Sequence, residues 1–450
     1  MQQPTGKGIN LRAYVVIWVL MVLMAFWLKS IHPETAWQKA GLINFSVGFI
    51  LLISYVTARI LKTLKLPMIS GYIFTGIVAG PYITEFLSGE MVERLLLIND
   101  LALAVIALTA GGKLELKSLK NRASAILLNT VFQSITVFLI VFGFFMLVGN
   151  RFEMTRHISP VHLSVMAVLL GVISVARSPS SAIAIISESR ASGPFTETVL
   201  GVTILIDVLI IVFFTIAMAV SQILLSGKAF LQHEAFVALG IELAVSFIIG
   251  AVLGKGLSIY IQHVGRDLIL LLLFFAFSVT KVSLWLANVM EANFNASFHL
   301  EPLLICMSAG FVVRNFTPSG TPFMSTLDRM SLPIFVLFFT HAGASLNLFS
   351  LLLCWPLAVC LVGMRAIGIF ISSSIAGMIN RDPVSHSNSA WMAYLTQAGV
   401  SIGLAQLAGK QFPQIGGYLT TIILAVIAIN QVIGPILFKT SLGIVRESKA

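Results

Sequence analysis

The stretch VARSPSSAIAII, residues 175–186, interrupts a run that otherwise reads as a membrane-spanning helix. It sets Arg177, Pro179 and the hydroxyls of Ser178, Ser180 and Ser181 where lipid-soluble residues belong. Pro179 removes a backbone donor and clashes with the preceding turn, so the helix breaks or kinks there. In lipid, backbone groups freed by a break survive only where they line protein or a wet cavity. The serines can bond the freed groups or hold an ion with hydroxyl oxygens. A plain proline kink patched by serine is the simpler alternative.

The rest of the chain says what surrounds this break. Of 450 residues, 58% are hydrophobic and 10% charged, and the mean hydropathy is +0.97. A soluble protein carries about 25% charged residues. Apolar runs of 18 or more residues recur along the length, each able to cross a core of ~30 Å. The alternation of a membrane β-barrel is absent. The expected class is an all-α polytopic membrane protein. Cys306, Cys354 and Cys360 lie in apolar runs and form neither a metal spacing nor a disulfide framework. The first apolar run, Tyr14 to Leu28, lacks a small-residue cleavage site and reads as a retained helix.

Fourteen spans are expected, at roughly 13–29, 43–61, 68–83, 94–111, 122–149, 162–187, 196–224, 235–254, 267–289, 301–314, 331–349, 354–379, 388–408 and 416–438. Of the 28 Lys and Arg, 18 then fall on the side of the N-terminal tail, seven on the other side and three inside spans. The positive-inside rule puts both termini in the cytoplasm. The net charge of +10 is therefore topology and not a nucleic-acid patch.

A second interruption matches the first. In YLTQAGVSIGLA, residues 394–405, Thr396, Gln397, Gly399, Ser401 and Gly403 break an apolar run. The two interrupted spans enter from opposite sides, the relation inverted repeats require; such repeats put paired broken helices around a transport site. A short span also opens each half, LPMISGYIFTGIVAGP at 66–81 and PLLICMSAGFVVRN at 302–315.

Three ionisable residues lie deep in spans. Asp207, in GVTILIDVLIIVFF, is thirteen residues past Pro194, ~20 Å along a helix. A carboxylate near mid-bilayer is a functional candidate by default, here one that trades protons. A structural ion pair with Arg177 or Arg365 is the plainer alternative. Arg365 cannot carry a proton; it can neutralise carbonyl ends of a broken helix or pair with Asp207. Arg177 can cap carbonyls, pair with Asp207 or attract an anion. Lys281 can snorkel outward. Glu242 and Asp100 are weaker candidates for a second carboxylate, favoured for helix-end or interhelical roles. Asn129 and Gln133, one turn apart on the fifth span, line a pore or bond between helices, the second being preferred.

At these residues the chain resembles the monovalent cation:proton antiporter superfamily, in its fourteen-helix, sodium/hydrogen exchanger-like form. LPMISGYIFTGIVAGP looks like the family's opening LP-x-x-x-G-Y-x-x-x-G-x-x-x-GP signature. ISVARSPSSAIAII followed by GVTILIDVLIIVFF is similar to its first broken helix and its acidic helix. LPIFVLFFTHAGASLNL at 332–348, GMRAIGIF around Arg365 and TQAGVSIGLA resemble its later motifs, in the family's order.

The resemblance implies an antiporter fold with inverted repeats and two crossing broken helices. It divides the chain into an N-terminal tail and extra helix (1–42), scaffold and dimerisation halves (43–112 and 267–350), core transport halves (113–224 and 351–440), a linker helix (225–266) and a cytoplasmic tail (441–450). Asp207 would hold either a proton or Na⁺, Li⁺ or K⁺, with neutral oxygens from Thr203, Ser178, Ser180 and Ser181. Arg365 and Arg177 would compensate charge, and Thr396, Gln397 and Ser401 would belong to the second broken helix. Hard cations take oxygen ligands, which suits this set. The implied setting is a homodimer in a cell membrane, such as a bacterial inner membrane. It requires no cofactor and no nucleic acid, and no nucleophile–base pair suggests an enzyme.

Three positions depart from the family's pattern. Ile206 stands where an acidic or amide residue precedes the carboxylate. Val202 stands where one branch has glutamate, and Ser181 where that branch has aspartate. Asp207 is thus left as the single carboxylate of the crossing, which implies one proton per cation and electroneutral exchange. With Arg177 and Arg365 the crossing is net positive when Asp207 is ionised, which keeps open an Na⁺- or H⁺-coupled anion transporter on the same fold.

Overall fold

The computed structural model describes residues 11–29, 36–226, 233–294, 300–397 and 399–449. The N-terminal tail up to Asn10, Lys228 in the linker and Ala398 in the second interruption lie outside them. The described residues are helical and contain no strand.

In chain order the helices are α1 (Leu11–Lys29), α2 (Ala36–Thr63), α3 (Met68–Ala79), α4 (Gly89–Arg94), α5 (Leu96–Lys113), α6 (Leu116–Asn121), α7 (Ala123–Val148), α8 (Pro160–Ile173), α9 (Pro179–Glu188) and α10 (Pro194–Ser226). They continue with α11 (His233–His263), α12 (Leu268–Phe294), α13 (Pro302–Phe316), α14 (Gly320–Ala344), α15 (Leu348–Asn380), α16 (Val384–Ala393), α17 (Gly399–Gln411) and α18 (Pro413–Ile444). Every expected span falls on a helix or, at the two interruptions, on a pair of half-helices. Among the described residues, α7, α10, α11, α12, α14, α15 and α18 are long and apolar enough to cross a membrane.

Prolines start many of these helices. Pro160, Pro179, Pro302 and Pro413 sit in first turns, where the missing N–H costs nothing. Ser159 caps α8 by accepting from the His162 N–H, and Asn347 caps α15 by accepting from the Ser350 N–H at 2.9 Å. Inside α15, Pro356 removes a ladder bond, and the backbone leaves helical geometry at Cys354 (φ −133°).

The chain forms two compact units, one of residues 1–102 with 332–346, the other of 103–331 with 347–450. In the first, glycines of the 66–81 motif act as close-approach points. A Cβ at Gly71 would lie 2.5 Å from the Ala58 Cα on α2. One at Gly76 would lie 2.1 Å from the Thr340 carbonyl oxygen on α14, and one at Gly343 would lie 2.2 Å from that of Ile73. Small residues let membrane helices meet backbone to backbone. Ser54 and Thr340 share a hydroxyl hydrogen bond of 2.6 Å beside this contact, and the His341 Nε2 donates to the Val92 carbonyl at 3.0 Å. Gly76→Ala is expected to destabilise the protein by about 1–3 kcal/mol through overpacking. Gly143→Ala, where a Cβ meets nothing within 4 Å, is expected to be neutral or slightly stabilising. Melting midpoints of the two variants in detergent check the contrast.

In the second unit the pattern helix, broken helix, helix occurs twice, as α7, α8/α9, α10 and as α15, α16/α17, α18. α15 packs along α7 and α18, and α10 packs on α7, α8 and α9.

Candidate functional site: the crossing of two broken helices

Each break has a local cause. After α8, turn hydrogen bonds carry the chain to Ala176. Ser178 must then leave the helical region because a proline follows; it is extended, at φ −109° and ψ 98°. Its Oγ accepts from the Ser181 N–H at 3.3 Å and lies 3.0 and 2.9 Å from the Ser180 and Ser181 hydroxyls. The three serines thus form a cap on the start of α9. The second break, after Ala393, contains no proline; α17 begins at Gly399.

The two breaks are bonded to each other. The Ser178 N–H donates to the Thr396 carbonyl at 3.1 Å. The Gln397 Nε2 donates to the Ile173 carbonyl at 3.0 Å, and its Oε1 accepts from Asn430 on α18 at 3.1 Å. A Cβ at Gly434 would lie 2.7 Å from the Thr396 side chain, so the second break and α18 touch closely.

Arg365, fully buried on α15, gathers the carbonyl ends of both first halves. Its Nε donates to Ser174 O at 2.7 Å and its Nη1 to Leu395 O at 2.7 Å. Its Nη2 donates to Ala176 O and Tyr394 O, each at 3.0 Å. Arg177, also buried, donates to Tyr394 O and to the Gln133 Oε1, both at 2.5 Å, and its guanidinium lies 4.8 Å from the centre of the Tyr394 ring. A helix C-terminus carries roughly half a negative charge. Two such ends converge here, which explains how two guanidinium groups share one neighbourhood. Gln133 donates to Asn129 Oδ1 (3.3 Å), one turn earlier on α7, and to Ser373 Oγ on α15 (3.1 Å), so Gln133 bonds between helices while Asn129 bonds within α7 and lines a pocket.

Neither arginine makes an ion pair with Asp207. Asp207 is partly buried on α10, and its Oδ1 is closed off from solvent without a hydrogen-bond partner. Thr203, one turn earlier, donates to the Val199 carbonyl at 2.7 Å. Ser401, on α17, is buried with an unpartnered hydroxyl. Lys281 is exposed on α12, 6.0 Å from the centre of the Phe277 ring. The structure therefore brings Arg177, Arg365, Ser178, Thr396 and Gln397 into one bonded network. It places Asp207 and Thr203 on the neighbouring α10, which packs on both α9 and α17.

The profile of the family described as the transmembrane sodium/hydrogen exchanger matches residues 48–442. The chain belongs to that family. It is accordingly a membrane cation/proton exchanger and not an enzyme. No curated protein gives a significant sequence match. Two solved structures of the sodium proton antiporter MjNhaP1 from Methanocaldococcus jannaschii share its fold. One, at pH 8, has a TM-score of 0.62 at 15% identity, covering 90% of this chain and 97% of that one. The other has a TM-score of 0.64 at 18% identity, covering 92% and 96%.

Several residues of the exchanger's crossing carry little signal in its sequence. Tyr394 acts through its backbone carbonyl, which every residue possesses. Asn430 and Gln431, a polar pair in an apolar span, are visible in the sequence but unremarkable beside Asp207. Each keeps a buried, unpartnered oxygen. A small pocket is lined by the Arg122–Asp382 ion pair (3.3 Å), His386 and Tyr394. Phe195, Thr198 and Val199 of the exchanger's α10 line it, one turn short of Thr203.

Proposed function

We propose that the exchanger trades Na⁺ or Li⁺, with K⁺ a further candidate, for H⁺ at Asp207. The observation that carries this reading is the state of that carboxylate. Its Oδ1 is buried and unpartnered, while the guanidinium groups that could have neutralised it are bonded to carbonyls and to Gln133. A carboxylate left unpaired inside a membrane protein is costly and marks an ion or proton pathway. Bound H⁺ and bound cation each neutralise it, so each excludes the other, and that exclusion is the coupling. Thr203 and the serine cap at 178–181 supply neutral oxygens in the same region of the chain.

The reading extends to alternating access of a mobile core (113–224 and 351–440) against a scaffold (43–112 and 267–350), to pairing of two copies and to cytoplasmic termini. One carboxylate gives one proton per monovalent cation and an electroneutral cycle. The anion alternative loses its support, because the Arg177 Nη donors face Tyr394 and Gln133 and only its Nε lacks a partner.

The test is proton flux in proteoliposomes carrying a pH gradient. Addition of Na⁺ or Li⁺ is expected to dissipate the gradient, at a rate unchanged when a permeant ion clamps the voltage. Flux that follows the voltage clamp would overturn electroneutrality. Flux that requires chloride, with none driven by a cation alone, would overturn the reading in favour of an anion substrate.

A further inference from the structure

The C-terminal segment does more than end the last helix. α18 runs to Ile444, and the chain then turns back so that Glu447, 8% exposed, lies at the start of α10. Its Oε1 accepts from the Phe195 N–H at 2.8 Å, and its Oε2 accepts from the Thr196 N–H and hydroxyl, each at 2.7 Å. The first N–H groups of a helix have no partner within it, and a carboxylate there also meets the positive end of the helix dipole.

The seat is shaped for this carboxylate. Gly193 has φ +151°, and a Cβ on it would lie 2.5 Å from the Glu447 Cδ. The segment also grips the turn that joins α9 to α10. Ser192 N–H donates to Glu447 O at 3.3 Å, and Lys449 N–H donates to Ser189 O at 3.0 Å. Lys439 on α18 lies 3.5 Å from Glu188 at the end of α9.

Asp207 has no anchor of its own on Oδ1. Its position is therefore set by the axial register of α10, which Glu447 pins about 17 Å away along the helix. α18 also holds the second break through Asn430. One helix thus ties the end of the Asp207 helix to the crossing.

We propose that Glu447 is a positioning residue for exchange: by clasping the start of α10 it sets where Asp207 stands relative to the oxygens that share its cation. This rests on Asp207 being the exchange site. Cation coordination demands several oxygens at once, whereas protonation demands one. Loss of register therefore weakens cation binding more than proton binding.

The test uses the full chain in proteoliposomes. Glu447→Ala is expected to raise the KM for Na⁺ about tenfold, with the maximal rate per folded protein within about twofold of wild type. Protons then compete better, so at Na⁺ well above its KM the acid limb of the pH–activity profile moves to higher pH by up to about one unit for each tenfold loss of cation affinity. Gly193→Ala, which displaces the carboxylate from the opposite side, is expected to do the same. Glu447→Gln, which keeps one accepting oxygen, is expected to recover part of the loss. Wild-type KM and pH profile in Glu447→Ala, with only the yield of folded protein reduced, would overturn the proposal.

Amide hydrogen exchange gives a readout independent of transport. Faster exchange along α10 as far as Thr203 supports the proposal, and faster exchange confined to Phe195–Thr198 overturns it. Wild-type protein silent to Na⁺, Li⁺ and K⁺ would refute exchange at Asp207, and with it a positioning role for exchange, whatever the amides show.

Discussion

Asp207→Asn is expected to abolish cation-driven proton flux, by at least about a hundredfold, while the protein folds normally. The substitution keeps the side chain's shape and removes its charge. An amide cannot take up or release a proton in the working pH range, so the competition that couples the two ions disappears. Stability should not suffer, because no ion pair is lost: the Oδ1 of Asp207 has no partner, and neither arginine pairs with it. A neutral group in a closed site costs less than an uncompensated charge. The melting midpoint in detergent is thus expected to stay level or rise. Retained cation-dependent flux in this variant would remove Asp207 from the mechanism.

Arg365→Ala should lose both transport and stability. The side chain makes four hydrogen bonds to carbonyls at the ends of α8 and α16, all buried. Each orphaned buried acceptor costs about 1–3 kcal/mol where nothing replaces the bond. Since part of that cost is relieved by rearrangement, a net loss of about 3–5 kcal/mol is expected, the scale of breaking a buried charged network. Flux should fall at least about a hundredfold. Arg365→Lys keeps the charge but has one compact ammonium in place of a fork, and the two substituents are not equivalent at such sites. Lysine should restore some stability and little transport. Comparison of melting midpoints separates the two positions: Asp207→Asn silent but stable, Arg365→Ala silent and unstable. An Arg365→Ala protein that melts like wild type would show that the four contacts carry no weight.

The first break was legible because proline has a fixed physical consequence. Pro179 forces Ser178 out of the helical region, and a serine before a proline is a ready cap. Asp207 and Arg365 were legible because charge inside an apolar run is expensive and stands out. The stretches at 66–81 and 332–348 were legible as family-like patterns, although only the structure shows that Gly76 faces Thr340 and Gly343 faces Ile73. What bonds to Arg177 and Arg365 was not readable beyond a set of alternatives. Their partners are largely main-chain carbonyls, which have no letter of their own. The tail was equally opaque: Glu447 reads as one more polar residue near a terminus until folding brings it to Phe195 and Thr196.

Arg365 touches both interrupted segments, and these have no covalent link where they cross. It works like the rivet of a pair of scissors. The four contacts keep the two blades from parting, while leaving their outer halves, α9 and α17, free of the rivet itself. Because guanidinium keeps its proton at any physiological pH, the rivet does not loosen when the carboxylate beside the crossing loads or unloads. On the proposed reading, the core would change its cargo without changing its frame.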